Sequence, residues 1–515
     1  MSAHPSRRAL PADADVADTA SNQSANASYR GYRTLWRWHF YAGLFVMPFL
    51  VILAITGTLY CFQPQIESLL YSHRFNVAPQ TSPRLSADAL LARAHTAVPA
   101  GSVASSVAVK TDPARSAEFV FRLPDAQMES VYLNPYTGEI LGTLSVENRF
   151  MRIDRMLHRK LLLGRPGELL MELASCWTLV MIGTGVALWW PRKKTTARDA
   201  LLPRLSLKGR PLWKNLHAVM GIWLALGALA FVLSGLPWSG FWGQQFKVLA
   251  TRASLGDPAG AWGDLPLRST RPGASSGALA ASSADASVAG TSHHHEAARE
   301  AATGSRAVSN AMPGMVMDDL PIAQTPWAVG KVPVPDSQSA SGDALSIARV
   351  IDIAAARGVT SGYDLVLPAT PEGVFTVSWF PADPKAERTI YIDQYSGAVL
   401  RDIGYADYGA VSQVVSYGTA LHMGRYFGVW NQIACAAISL GLAAMALTGV
   451  VMWWTRRPQR SIGAPSRERA APPMRRWKAA LILLGVVFPL MGATMVMVWV
   501  FDRFIVARAS HRITS

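Results

Sequence analysis

Charge is what this chain has least of. Only 16% of its 515 residues are Asp, Glu, Lys or Arg, against roughly 25% in average soluble domains. Cysteine is scarce too: Cys61, Cys176 and Cys435 all lie in apolar runs, so neither a disulfide framework nor a thiolate metal cluster can be read. No glycine-rich dinucleotide fingerprint follows a strand and no flavin domain is recognisable, so any electron must be supplied from outside the chain. No paired-carboxylate or Ser/His/Asp pattern points to acid–base or nucleophilic catalysis. What the sequence does have is apolar surface. Half of it is hydrophobic, with 17 Trp and 18 Met, which also excludes wholesale disorder and a collagen-like chain. The chain is expected to cross a membrane several times.

The net charge of +15 is concentrated in two places. Residues 192–214 hold eight basic residues against Asp199, and residues 456–478 hold eight against Glu468. Short Lys/Arg-rich loops between apolar spans mark the cytoplasmic side, so the charge reports topology and nucleic acid is not an expected partner. Five stretches have the ~20 uncharged residues that a ~30 Å hydrocarbon layer requires. The first begins too deep in the chain, and is too long, to be a removed signal peptide.

The predicted order starts with a disordered cytoplasmic tail at 1–33 and a first span at 34–64. An exterior domain at 65–165 and a second span at 166–191 follow. A basic loop at 192–212 leads to a third span at 213–242 and a second exterior domain at 243–421. A fourth span at 422–455, a basic loop at 456–478, a fifth helix at 479–502 and an exterior tail at 503–515 complete it. The basic tail counts against a full fifth crossing, and a re-entrant or interfacial helix is the alternative. Within the second exterior domain, 253–342 is a Gly/Ala/Ser/Pro-rich insertion without sustained periodicity. Each exterior domain otherwise reads as α+β, a helix packed on an antiparallel sheet. Each has a helix opened by Leu85-Ser86 or Leu345-Ser346 and a hairpin over 131–141 or 390–400, turned by a Tyr-[Thr/Ser]-Gly.

The chain repeats itself. His39 precedes Gly43 by four residues and Gly57 by eighteen; His217 precedes Gly221 and Gly235 at the same offsets. His158 stands six residues before Gly164 and 31 before Trp189-Trp190; His422 stands likewise before Gly428 and Trp453-Trp454. Two copies of span–exterior domain–span, with a fifth helix appended, follow from this register. Copies related by an axis along the membrane normal place His39 and His217 at the cytoplasmic level and His158 and His422 at the exterior level.

Two imidazoles with no Cys, Asp or Glu beside them are too few for a structural or catalytic zinc. They suffice for haem, whose porphyrin supplies four nitrogens and leaves only axial positions. The expectation is therefore two haem b groups, one held by His39 and His217, the other by His158 and His422. The repeated glycines give clearance, and Arg37, Lys214, Arg155, Arg159 and Arg425 are candidate propionate partners. A lone His near a span end is more often an interfacial residue; repetition in register is what separates these four from His73 and His95.

The Tyr-x-x-x-Tyr-[Thr/Ser]-Gly-x-[Ile/Val]-Leu hairpins, the His-x3-Gly spans and the Trp-Trp-[Pro/Thr]-Arg span ends resemble those of the PepSY-associated transmembrane family. These are the iron-regulated or iron-uptake proteins of bacterial inner membranes. The likeness covers roughly 33–250 and 343–457. It implies a multi-pass inner-membrane protein with a cytoplasmic N-terminus and periplasmic domains. It also implies a reductase that releases iron from ferric siderophores or other ferric chelates, with His39, His217, His158 and His422 as axial ligands. The electron would come from a quinol or a separate reductase, and the surrounding partner is membrane lipid.

Two other readings stay open at this point. The family name also belongs to exported domains that bind peptidases, so the chain is alternatively a non-enzymatic regulatory or metal-binding module. The insertion departs from the family pattern, and its His293, His294 and His295, followed by Met312, Met315 and Met317, are soft enough as ligands for copper. That cluster supports a copper-handling reductase; the plain reading is a low-complexity linker.

Overall fold

The computed structural model describes residues 12–190, 196–258, 326–329, 343–371, 373–458 and 474–501, with side chains from residue 30 onward. The His/Met cluster at 293–317 lies outside the described residues. The chain forms two compact units. One comprises residues 1–63, 153–249 and 418–515, the other 64–152 and 250–417.

Among the described residues, four helices are long and apolar enough to cross a membrane: 30–61, 165–189, 209–238 and 429–454. The first belongs to α1 (Ala12–Cys61), which starts well inside the stretch expected to be disordered. That segment is rich in Ala and has no proline after Pro11, so helix propensity carries the span's register back toward the N-terminus.

The second unit opens with α2 (Gln63–Leu70), α3 (Ser72–Phe75) and α4 (Ala87–Ala94). Strands β1 (Val103–Val109), β2 (Ala117–Arg122), β3 (Met128–Leu133) and β4 (Ile140–Ser145) follow. Next come α5 (Phe150–Lys160), α6 (Arg165–Trp189), α7 (Ala197–Leu201), α8 (Gly209–Gly235) and α9 (Trp242–Arg252). The stretch between α9 and α11 holds α10 (Ile347–Ala356) and strands β5 (Tyr363–Val366), β6 (Val374–Trp379), β7 (Arg388–Asp393) and β8 (Val399–Gly404). Helices α11 (Ala410–His422), α12 (Val429–Trp454), α13 (Arg475–Val487) and α14 (Pro489–Phe501) end the described chain.

Two separate exterior domains were expected; a single sheet is found. All eight strands are antiparallel in the order β4-β3-β2-β1-β5-β6-β7-β8. The halves join where β1 pairs with β5, Ser106 opposite Val366 through Val109 opposite Tyr363. The physical reason is edge closure. β1 and β5 would each expose an unpaired row of backbone donors, and pairing them satisfies both. Helices α4 and α10 cover the sheet with Leu90, Ala94, Val350 and Ala354 against Phe119, Phe121, Val377 and Ile390. Ser86 and Ser346 cap them as N-terminal hydroxyl acceptors. The Asp88 carboxylate takes the free amides of Ile347 and Ala348 at 2.7 and 3.1 Å, so α4 also caps α10.

The insertion is not wholly accessory. Leu255 and Gly256 offer carbonyls to the start of α11, at 2.9 Å from the Val411 amide and 3.1 Å from that of Gly409. Ala328 and Val329 are fully buried against Val374, Tyr391, Ile403 and Tyr408, and Trp327 is 5% exposed. A charged cluster is buried at the other end of the sheet. Arg149 bonds Glu118 at 3.1 Å and Tyr132, and lies 3.5 Å from Glu67. Lys110 reaches Glu118 at 3.1 Å. Burial alone would raise the Glu118 carboxyl; the charges of Lys110 and Arg149 and the Tyr132 hydroxyl reverse this and hold it at about 2.

In the membrane unit α1 packs on α6 and α12, and α8 on the same two, closing a four-helix ring. Its middle is apolar, with Val46, Leu50, Ala228 and Leu442 in contact. Gly164 and Gly428, the repeated glycines, cap α6 and α12 with φ of +64° and +57°, a conformation that turns each exterior helix into a span and that other residues resist.

A single fifth span over 479–502 is not what forms. In a continuous helix residues seven apart are separated by about 10 Å. Here a Cβ added to Gly485 would lie 3.2 Å from the Cα of Gly492. The chain doubles back as a helical hairpin at Phe488-Pro489, because proline cannot continue α13 but can open α14. The elbow is buried, Phe488 and Met491 packing on Cys176, Val180 and Leu236. Trp242 Nε1 donates to the Val487 carbonyl at 2.7 Å.

Candidate functional site

The four histidines predicted from the repeat are placed alike by the fold. His39 lies on α1, His217 on α8, His158 on α5 and His422 at the end of α11. Each imidazole Nδ1 meets a hydroxyl on another helix. His39 pairs with Thr184 of α6 at 3.1 Å and His217 with Thr448 of α12 at 2.8 Å. His158 pairs with Thr56 of α1 and His422 with Ser234 of α8, both at 2.8 Å. The arrangement is reciprocal within each half. Span 1 carries the histidine answered by span 2 and the threonine that answers the exterior helix.

These hydroxyls fix the tautomer. Thr56 donates its proton to the Ile52 carbonyl at 2.6 Å, Thr184 to Val180 at 2.7 Å, Ser234 to Ala230 at 2.6 Å and Thr448 to Met445 at 2.7 Å. A hydroxyl has one proton, so toward the imidazole each oxygen accepts. Nδ1 must then carry the ring proton, which leaves Nε2 with its lone pair. A buried threonine with this geometry would otherwise merely bond back to its own helix.

Each hydroxyl is followed by glycine, and the glycine faces the same ring. A Cβ at Gly57 would stand 3.3 Å from His158 Cε1, at Gly185 3.2 Å from His39 Cε1, at Gly235 3.4 Å from His422 Cε1 and at Gly449 3.8 Å from His217 Cε1. A Cβ at Gly43 or Gly221 would instead meet the Met181 or Met445 sulfur, at 3.9 and 3.6 Å. Sequence reading missed Thr56, Thr184, Ser234, Thr448, Gly185 and Gly449. Their signal was available, since the hydroxyls sit at +17 and +26 from the repeated histidines in both halves.

The structure brings His39 and His217 together, ring centroids 6.3 Å apart and planes at 81°. His158 and His422 lie at the other level, each against a hydroxyl of α1 or α8. The two levels are well separated, since Thr56 is seventeen residues beyond His39 on α1, about 25 Å at 1.5 Å per residue. Among the described residues no group of three or more His, Cys, Asp or Glu could hold a metal ion, so each level offers imidazole alone.

Haem fits this donor set. Two metal–nitrogen bonds of ~2 Å and two centroid-to-nitrogen radii of ~1.1 Å span about 6 Å. Edge-to-face packing of two imidazoles covers the same separation. At the rims, Arg159 is bonded to the Trp238 carbonyl at 3.0 Å and Arg37 lies over the Tyr41 ring. Arg456 lies 4.5 Å over the Trp36 ring and Arg457 3.9 Å over Trp454. His73 and His95 are exposed, as expected.

A family model described as the PepSY-associated TM region matches residues 36–456. The chain belongs to this family. In this PepSY-associated protein the match runs from the tryptophan before His39 to the arginine after Trp454, so it takes in all four histidines and hydroxyls. The α13–α14 hairpin lies beyond it. A comparison with curated proteins returned no match.

Proposed function

We propose that the protein is an inner-membrane electron conduit that reduces a ferric chelate, such as a ferric siderophore, on the exterior side. The observation that carries this is the imidazole pair at His39 and His217, with each Nδ1 committed to a hydroxyl. Haem b bound at the two levels supplies a one-electron carrier in each leaflet. The chain's own part is to orient Nε2 through Thr184, Thr448, Thr56 and Ser234, to exclude bulk from the rings through the four glycines, and to keep the layer between the levels dry. Hard oxygen donors hold Fe(III) far more tightly than Fe(II), so reduction releases the iron.

On this reading the chain is a tandem duplication around an axis along the membrane normal, with the basic loops cytoplasmic. The His39/His217 level then faces the cellular reductant, a quinol or separate reductase, and the His158/His422 level faces the substrate. The four imidazoles, each set against a hydroxyl, favour the haem conduit over a non-enzymatic binding module; the residues of the copper reading lie outside the described ones.

The test is a reduced-minus-oxidised spectrum of the purified protein with haem stoichiometry. Two b-type haems per chain are expected, one lost in His39→Ala or His217→Ala and the other in His158→Ala or His422→Ala. No haem in the wild type, or a stoichiometry unmoved by all four substitutions, overturns the assignment.

A further inference from the structure

The turn that ends α8 touches both helices that carry the His158/His422 pair. After Gly235 the chain tightens into one 3-10 turn, Leu236–Trp238, in which Leu236 and Pro237 are buried. Proline presets the backbone of such a turn and so fixes where the next side chain leaves. Trp238 Nε1 donates to the Thr419 hydroxyl oxygen at 2.9 Å, and the Arg159 guanidinium donates to the Trp238 carbonyl at 3.0 Å. Arg159 follows His158 directly on α5, and Thr419 stands one turn before His422 on α11. Trp238 therefore ties the two histidine-bearing turns to each other, one through its side chain and one through its backbone. The end of α8 adds to this hold. Phe231 packs on the His422 ring with centroids 5.0 Å apart, and Ser234 meets its Nδ1.

The tie is absent from the repeat. At the same offsets in the other half stand Tyr60, Arg155 and Met423. Arginine cannot accept a hydrogen bond as Thr419 does, and a methionine side chain cannot donate one as Arg159 does. The α5 side also has need of an anchor. Directly after Arg159 and Lys160 the chain takes Leu161 and Leu162 through φ of +52° and +59°, a conformation that leucine adopts only when its surroundings hold it.

We propose that Trp238 is a positioning residue for the His158/His422 pair, setting the separation and mutual orientation of the two imidazoles. The proposal rests on the haem reading and names the residue that shapes one of its two sites. Ser234 holds His422 at Nδ1 but leaves the ring free to swing about that bond, so the place of the helical turn beneath it decides the swing. Thr419 anchors that turn. The Met423 amide donates to the Thr419 carbonyl at 2.9 Å and the Gly424 amide to the Leu421 carbonyl at 3.2 Å, so what holds Thr419 holds the turn that carries His422.

The purified, oxidised full-length protein is examined by electron paramagnetic resonance, in which the g values of a low-spin iron with two imidazoles report the angle between their planes. Trp238→Phe keeps an aromatic ring and removes the N–H, Thr419→Val removes the acceptor, and Thr419→Ser returns it. Trp238→Phe and Thr419→Val should each shift the signal of the haem that is lost in His422→Ala. The double variant should shift it no further than either alone, and Thr419→Ser should match the wild type. The His39/His217 signal should stay in place throughout. An unmoved His158/His422 signal in both single variants overturns the proposal, and so does equal movement of the two signals, the mark of a general loosening. Amide exchange at Met423–Arg425, read by mass spectrometry, judges the tie without haem. It should be about 2–10-fold faster in Trp238→Phe and Thr419→Val, the worth of one hydrogen bond, and unchanged exchange overturns the tie. Absence of haem from the wild type defeats the functional reading while the exchange rates still judge Trp238.

Discussion

His158 and Thr56 meet at 2.8 Å across 102 residues of sequence, and the hydroxyl has already given its proton to its own helix. That geometry makes the threonine a positioning group for the imidazole, comparable to the outer partners that orient metal-bound histidine. Thr56→Val should weaken haem retention at the exterior level by about 10–100-fold, with the cytoplasmic level unaffected. Thr56→Ser should restore it. Haem titration of the two variants, read by absorbance, checks this; equal retention in Thr56→Val and wild type refutes the role.

Asp154, one turn before His158 on α5, is 6% exposed, and its Oδ2 has no hydrogen-bond partner among the described residues. Burial pushes its carboxyl up to about 6. A raised acid binds protons more tightly in the folded state, so its cost is present above pH 6 and disappears as pH falls toward 4. Asp154→Asn should therefore stabilise the protein at pH 7.5 by on the order of 2 kcal/mol and by much less at pH 4.5. Thermal unfolding in detergent at the two pH values measures the difference.

Glu118 carries the opposite sign. Its folded carboxyl is held at about 2, below its ordinary 4.5, so its stabilisation is complete above that ordinary value and is lost as pH falls toward 2. Glu118→Gln removes one of the two carboxylates facing Arg149, with Glu67 remaining, and should cost about 1–3 kcal/mol at pH 7. The penalty should shrink with acid, as read by thermal unfolding between pH 7 and 3.

The hairpin turns on two glycines. A leucine at position 492 would sit on the Gly485 carbonyl, so Gly492→Leu should open α13–α14. In the native fold a fluorescent reporter fused after residue 501 should glow as a cytoplasmic one does. An export-dependent phosphatase at the same place should be inactive. The reverse pattern in the wild type would restore the single fifth span.

Removing residues 265–320 should leave the exterior sheet intact, because the buried 326–329 segment is retained. Extending the cut through Trp327, or Trp327→Ala alone, should cost about 3–5 kcal/mol. Limited proteolysis of the exported unit separates the two deletions.

The four histidines stood out in the sequence because they recur at fixed offsets from the same glycine and tryptophan positions. The hydroxyls were as regular, yet a threonine in an apolar helix ordinarily bonds its own backbone, so its spacing drew no notice. Pro489 inside an apolar run was a local signal for the hairpin, and run length outweighed it. Trp238 and its two partners occur in one register only, leaving no repeat to find them by. The β1–β5 seam is of the same kind: both strands look complete within their own half, and only the open edges decide that they join.

That seam also sets a schedule. Val109 is made long before its partner Tyr363, and at 5–20 residues per second the interval is roughly 10–50 s. Throughout it the first four strands wait with the β1 edge unpaired, while α6 and α8 are still being made. An edge of Val, Ala and Ser held open that long is a template for any other extended chain. Biogenesis therefore requires either a companion that covers β1 during export or a rate of synthesis fast enough to outrun misassembly. A protein truncated after α6 should fail for want of β5, with every residue of its own sheet intact.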